Sequence, residues 1–167
     1  MENKGYHSLC QYVKDKEIAL IGAGVSNIPL VSFLYECGAK KITVRDLKKK
    51  NEDIEIQTVI KSGGFPVLGE GYLSDLTEDI IIRSPGIRPD IPAFVHAVEN
   101  GSELTCEIEL FLRFSPAKMI GITGSDGKTT TTTLVSKFLT QEGYHVILGG
   151  NIGKSMLPQI KDIKNET

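Results

Sequence analysis

Residues 119–130 read MIGITGSDGKTT, a string that few backbone arrangements satisfy. An apolar run, Met119-Ile120-Gly121-Ile122, enters a short polar loop, Thr123-Gly124-Ser125-Asp126-Gly127, and Lys128 and Thr129 then open a helical pattern. Glycines let successive N–H groups turn toward one point, and a helix N-terminus adds partial positive charge there. Strand, loop and helix in this order predict a cradle for a nucleotide triphosphate. Gly124, Ser125, Asp126, Gly127 and Thr130 line it, Lys128 reaches the outer phosphates, and the Thr129 hydroxyl is placed to ligate Mg²⁺. The commoner phosphate-loop spacing wants a glycine where this chain has Ile122; Gly124 takes that role, so the loop is shorter.

The 167 residues suffice for one full domain or one and a fraction, and 40% hydrophobic content supports a sizeable core. A net charge of −2 offers no general attraction for nucleic acid or an anionic membrane, and neither is expected as a partner. Cys10, Cys37 and Cys106 are far apart and lack metal-type spacing, so they read as reduced core thiols in a reducing compartment. No leader pattern and no long apolar run stand out, which points to a cytoplasmic chain. His7, His96 and His145 have no partner at catalytic or metal spacing in the sequence and read as structural.

Apolar runs alternate with helical stripes. Strands are predicted at 17–21, 41–44, 66–68, 79–82 and 103–106, and helices at 28–37, 54–60, 91–98 and 107–114. The helix ends are marked at Gly38, at Ser62-Gly63-Gly64 and at Asn100-Gly101. Such alternation argues for an α/β fold, a Rossmann-like parallel sheet with helices on both faces. Ser115-Pro116 then breaks the chain, and a domain boundary is expected near residue 116. Beyond it a strand from Lys118, a helix over 128–142, a strand at 144–148 and a last helix at 155–163 are predicted. Residues 117–167 thus read as the beginning of a P-loop-type α/β ATPase domain whose sheet needs more strands than this stretch provides.

Three further sites fall at strand ends in residues 1–116. Gly22-Ala23-Gly24-Val25-Ser26-Asn27 resembles the dinucleotide-binding glycine loop, with Asn27 in place of its third glycine. Asp46, at the end of the second strand, suits a carboxylate meeting a ribose or similar hydroxyl. Lys48, in a basic run with Arg45, Lys49 and Lys50, reads either as part of a solvated loop or as a contact to a phosphate or base. Ser84-Pro85-Gly86-Ile87 follows the fourth strand. Carboxyl ends of parallel strands are where such sheets bind ligands. The pattern points to an anionic, nucleotide-like ligand without fixing which one.

Together these pieces resemble the Mur ligases, the ATP-dependent amide ligases of peptidoglycan precursor synthesis. The resemblance is carried by Thr123-Gly124-Ser125-Asp126-Gly127-Lys128-Thr129-Thr130, by Gly150-Asn151-Ile152-Gly153, by Ser84-Pro85-Gly86-Ile87 and by Glu107-Ile108-Glu109-Leu110-Phe111, and it covers nearly the whole chain. It implies an enzyme of three domains, the first gripping UDP-N-acetylmuramoyl-L-alanine and the second ATP and Mg²⁺. Val25, Ser26, Asp46, Lys48, Ser84 and Gly86 would line the UDP cleft, and Asn151 would meet the muramoyl part. Lys128 and Thr129 would carry the catalytic roles, the latter as the metal ligand. The implied reaction activates the substrate carboxylate as an acyl phosphate, which the amine of D-glutamate attacks. The implied protein is a monomer in the cytoplasm. Asp126, where the family usually has Asn, adds negative charge near the phosphates. The chain is expected to be an N-terminal portion, inactive alone. Another amide ligase of the superfamily, or a non-catalytic Rossmann-like nucleotide-binding module, remains open at this point.

Overall fold

A computed structural model of the chain describes residues 3–48, 53–150 and 155–163. Five parallel strands, β1 (Glu17–Ile21), β2 (Lys41–Asp46), β3 (Phe65–Leu68), β4 (Ile80–Arg83) and β5 (Glu103–Cys106), form one sheet in the order β3-β2-β1-β4-β5. The register is regular, with Leu20 beside Val44 on one side and Ile82 on the other. The expected α/β parallel sheet is therefore present, with strand limits within two residues of those read from the sequence.

Successive side chains of a strand point to opposite faces, and both faces are covered here. Ile18, Leu20, Ile42, Val44, Ile80 and Ile82 pack under one layer of helices, while Ala19, Ile21 and Ile81 pack with Phe94 and Ala97 on the other. This accounts for the near-continuous apolar runs of β1 and β4, which are typical of a sheet buried on both sides. The first layer contains α1 (Lys4–Val13), α2 (Ile28–Glu36), α3 (Ile54–Lys61) and α5 (Glu107–Phe114); the second is built on α4 (Pro92–Glu99). Helix α2 ends with Ala39 N–H donating to the Leu34 carbonyl and Gly38 N–H to Tyr35, a closing pattern repeated after α3 and α4.

Three features differ from the sequence expectations. Helix α1 was not anticipated, although Asn3 caps it (its Oδ1 accepts the Tyr6 N–H) and Leu9 and Val13 are buried in the core. The runs at 118–122 and 144–148 are not strands. A strand needs a neighbour to complete its hydrogen bonds, and among the described residues neither run has one. The helix α6 (Lys128–Gln141) does form, because a helix closes its bonds within its own segment. The predicted last helix is a six-residue 3₁₀ helix, Leu157–Asp162, and it packs against α1, α2 and α5 of the first unit.

Candidate functional site

The sheet reverses its direction of growth at β1: β2 lies on one side of it and β4 on the other. Loops leaving the carboxyl ends of such neighbours diverge and leave a crevice, the usual ligand position in open α/β sheets. Three of the loops singled out in the sequence emerge there. Gly22 N–H donates to the Arg45 carbonyl at 2.8 Å, and Ser84 N–H donates to the Ile21 carbonyl at 3.1 Å.

Asp46 stands at the centre. One carboxylate oxygen accepts the Ala23 N–H at 2.6 Å and the other accepts the Lys48 N–H at 2.9 Å. Its charge is thus locked between the glycine loop and the turn after β2, half-buried at the rim of the sheet. Ser84 donates its hydroxyl to the Ile21 carbonyl at 2.7 Å. Gly22 has φ +98°, and a Cβ on it would lie 2.6 Å from the Ser84 hydroxyl oxygen, so the close approach of these loops requires glycine twice over.

Asn27, which looked in the sequence like a departure from the glycine pattern, holds the arrangement together. Its carboxamide is buried and donates to the carbonyls of Ile21 and Gly22 and to the Ser84 hydroxyl at 3.0, 2.8 and 3.2 Å. A glycine there could make none of these bonds. An asparagine preceding a helix is a recognisable cap signal, but here the side chain turns back into the loop and makes no cap bond. Val25 is largely exposed and Ser26 half-buried on the same loop. Among the described residues no partner takes the N–H groups of Gly24, Val25 and Ser26. Unclaimed donors at a helix N-terminus suit an anionic group. Gly86 is exposed with open space around it.

The two basic residues of this corner have other occupations. The Lys48 ammonium pairs with the Glu55 carboxylate at the start of α3. Arg45 is buried rather than part of a solvated loop. It meets Glu78 at 2.9 Å and donates to the carbonyls of Tyr72, Ser74 and Asp75. Burial pushes the Glu78 carboxyl up, but hydrogen bonds from Thr43 and the backbone, with the Arg45 charge, outweigh it and hold the group below the ordinary carboxylate range. Nothing in the local sequence announces Glu78, because its side-chain partners, Thr43 and Arg45, come from β2.

The phosphate loop forms a second, separate group. Gly127 is left-handed (φ +73°) and caps α6 without a side-chain cap bond. The Lys128 ammonium folds back onto the carbonyls of Gly124 and Ser125, the latter at 3.1 Å. Among the described residues no partner takes the N–H groups of Ser125, Asp126 and Gly127. Ser125, Asp126, Thr129 and Thr130 are exposed. A lysine resting on the loop's own carbonyls, together with unclaimed amides of the same loop, is a donor set that fits an oligophosphate. No hydrogen bond or ion pair among the described residues joins this loop to the sheet-edge group. Asn151 lies outside the described residues.

No protein-family model matches the chain. Among curated proteins it is 44% identical, over 98% of its own length, to a UDP-N-acetylmuramoylalanine--D-glutamate ligase of Clostridium novyi. It is 48% identical, over 90% of its length, to the ligase of the same name from Ruminiclostridium cellulolyticum. The matches take in 36% and 33% of those proteins, so the chain spans about a third of the length of its relatives. A solved UDP-N-acetylmuramate-alanine ligase of Thermotoga maritima overlays 81% of this chain and 32% of its own, at 22% identity and TM-score 0.49, too loose a likeness to add to the sheet order. Identity above 40% across the glycine loop, the phosphate loop and the strands between them leaves one assignment: the chain belongs to the Mur ligase family.

Proposed function

We propose that this chain supplies the UDP-muramoyl grip and the ATP phosphate loop of a ligase that joins D-glutamate to UDP-N-acetylmuramoyl-L-alanine. The observation that carries the reading is the convergence of Asp46, the Gly22–Asn27 loop and Ser84 at the carboxyl edge of the sheet, on a chain 44% identical to a ligase of that name. In this reading residues 1–116 form the substrate domain and 117–167 begin the ATP domain, with 155–163 returning to pack on the first. Val25 and Ser26 present backbone donors to the diphosphate, Asp46 faces the uridine end, and Ser84 and Gly86 line the same crevice. Lys48 contributes its backbone and shields the edge, its charge being matched by Glu55. Asn151 is assigned to the muramoyl part.

ATP and Mg²⁺ bound at the second loop would make the substrate carboxylate a reactive acyl donor. The residues of this chain do the holding. Ser125, Asp126 and Gly127 would offer amides, Lys128, now on the carbonyls of Gly124 and Ser125, would hold the outer phosphates, and of the hydroxyls of Thr129 and Thr130 at the start of the helix the former would hold the metal. Phosphoryl transfer depends on alignment and charge neutralisation more than on protein nucleophiles, which suits a loop of amides and one ammonium. The three cysteines are free thiols, in keeping with work in the cytoplasm, and we assign the chain as a monomer.

A thermal melt with added ligand tests the reading. UDP-N-acetylmuramoyl-L-alanine at about 100 times its dissociation constant should stabilise the chain by roughly 2.7 kcal/mol, and Asp46→Ala should abolish the shift. A melt moved by NAD and not by the UDP ligand would replace the ligase reading with a dinucleotide-binding module.

A further inference from the structure

Helix α1, which the sequence did not announce, touches both ends of the phosphate-loop segment. On the entering side, a Cβ at Gly5 would collide with the Phe114 carbonyl and lie 2.8 Å from Pro116, so α1 and the chain at 114–116 are in tight contact. Ala117 packs on the same core. On the returning side, the Asn3 carboxamide donates to the carbonyls of Ile160, Lys161 and Ile163 while its oxygen caps α1. Leu157, Ile160 and Ile163 are buried in the first unit's core, at 0%, 0% and 2% exposure. The Glu107 carboxylate, at the start of α5, accepts the Ser155 hydroxyl and the N–H groups of Met156 and Leu157, the last at 2.9 Å. Lys161 pairs with Glu36 and lies over the rings of Tyr6 and Phe33.

A short helix leaves its first amides unpaired, and one carboxylate taking two of them is a strong, charge-assisted cap. Three buried aliphatic side chains add burial that a passing surface contact would not have. We propose that residues 155–163 are a permanent part of the substrate-sheet unit, fastened by Glu107 and Asn3 as positioning residues. The phosphate-loop segment is thereby tethered to that unit at both ends, both at α1. Two fastenings restrict the swing that a single linker near residue 116 would permit, and so hold the phosphate loop within a limited range of the sheet edge. The clasp stands whether or not the loop takes ATP.

Amide hydrogen exchange on the whole chain, read residue by residue, tests the fastening. In the wild type, Met156 and Leu157 should be protected. Glu107→Ala should speed these two amides by about 10- to 100-fold, the effect of losing a charged acceptor shared by both, and leave the Leu20 and Val44 amides unchanged. Glu107→Gln keeps an acceptor oxygen and should restore much of the protection. Asn3→Asp preserves the cap on Tyr6 but removes the donors to three carbonyls, so it loosens 159–163 without unfolding α1; it serves if Glu107→Ala does not fold. The tether is read by the spread of distances between spin labels at Lys137 on α6 and Glu99 on α4, which should widen in Glu107→Ala and Asn3→Asp. Unfolded-chain exchange at Met156 and Leu157 in the wild type, or a label spread unchanged when the clasp is removed, overturns the proposal. Failure to bind UDP ligands would overturn the functional reading and leave these outcomes as they are.

Discussion

The five-stranded sheet and helix α6 both carry apolar side chains, yet one is buried and the other is not. Leu20, Val44 and Ile82 have no exposed surface, whereas α6 buries none of its fourteen residues and leaves Phe138 63% exposed. The difference lies in where each element finds its hydrogen bonds and its cover. A strand becomes a strand only beside another, so β1 and β2 define each other while 144–148 stays irregular. A helix needs only itself and good ends. Helix α6 has Gly127 at one end, and at the other Tyr144 N–H donates to Leu139 and Gly143 N–H to Thr140. An amphipathic pattern therefore states what a face is made for, and burial has to come from other elements.

Substitutions sharpen this contrast, beginning with the largest effect. Glu78→Gln leaves the buried Arg45 without its charge partner, and chemical denaturation should register a loss of about 3–5 kcal/mol. Ile82→Ala opens a cavity between β1, β4 and the helix layer, and the same measurement should give a loss of about 2–5 kcal/mol. Phe138→Ser on α6 should stay within roughly 0.5 kcal/mol of wild type, as surface changes do, and should lower self-association in light scattering. A loss of several kcal/mol there would mean that α6 is packed in solution, erasing the contrast.

Two left-handed glycines make a finer comparison. Gly22→Ala meets both an unfavourable φ and the Ser84 hydroxyl, while Gly127→Ala meets only the φ, with nothing within 4 Å of the new methyl. About 1–2 kcal/mol of backbone cost applies to each, and Gly22→Ala should exceed Gly127→Ala by the cost of the displaced Ser84, read as a difference in melting temperature. Equal losses would show that the glycine loop yields freely.

The smallest effect concerns pH. Glu78 is held below its ordinary range in the folded chain, so it is more readily ionised there than in the unfolded one. Its contribution to stability is therefore fully present above the unfolded carboxylate value, near pH 4.5, and is lost as pH falls through the folded value. Acid titration of sheet stability should steepen below about pH 4.5 in wild type, and the slope should shrink in Glu78→Gln. An unchanged slope would remove Glu78 from the acid response.

How far the sequence reached differs between the two sites. Gly22, Asp46 and Ser84 were legible because glycine, carboxylate and turn residues sit at strand ends, and parallel strands in this order bring those ends together. The role of Asn27 was not, since its three acceptors belong to residues 21, 22 and 84 and only folding assembles them. Lys48 read as part of a solvated loop or as a contact to a phosphate or base, and its pairing with Glu55 was hidden because Glu55 lies in another element. The loop at 123–130 read as a phosphate cradle from local chemistry alone, and in the structure its lysine rests on the carbonyls of its own loop.

By itself the amino-acid string determined which segments are strands of the sheet, most of the helices around it and where the turns between them fall. These properties depend on side-chain period, glycine freedom and local caps, all short-range. Tertiary structure alone decided that Arg45 and Glu78 neutralise each other, that 144–148 has no neighbour among the described residues to complete a strand, and that residues 155–163 return to α1 through Glu107 and Asn3. Each depends on partners far apart in the chain, whose meeting is set by the packing of the whole core and by nothing in their own neighbourhood.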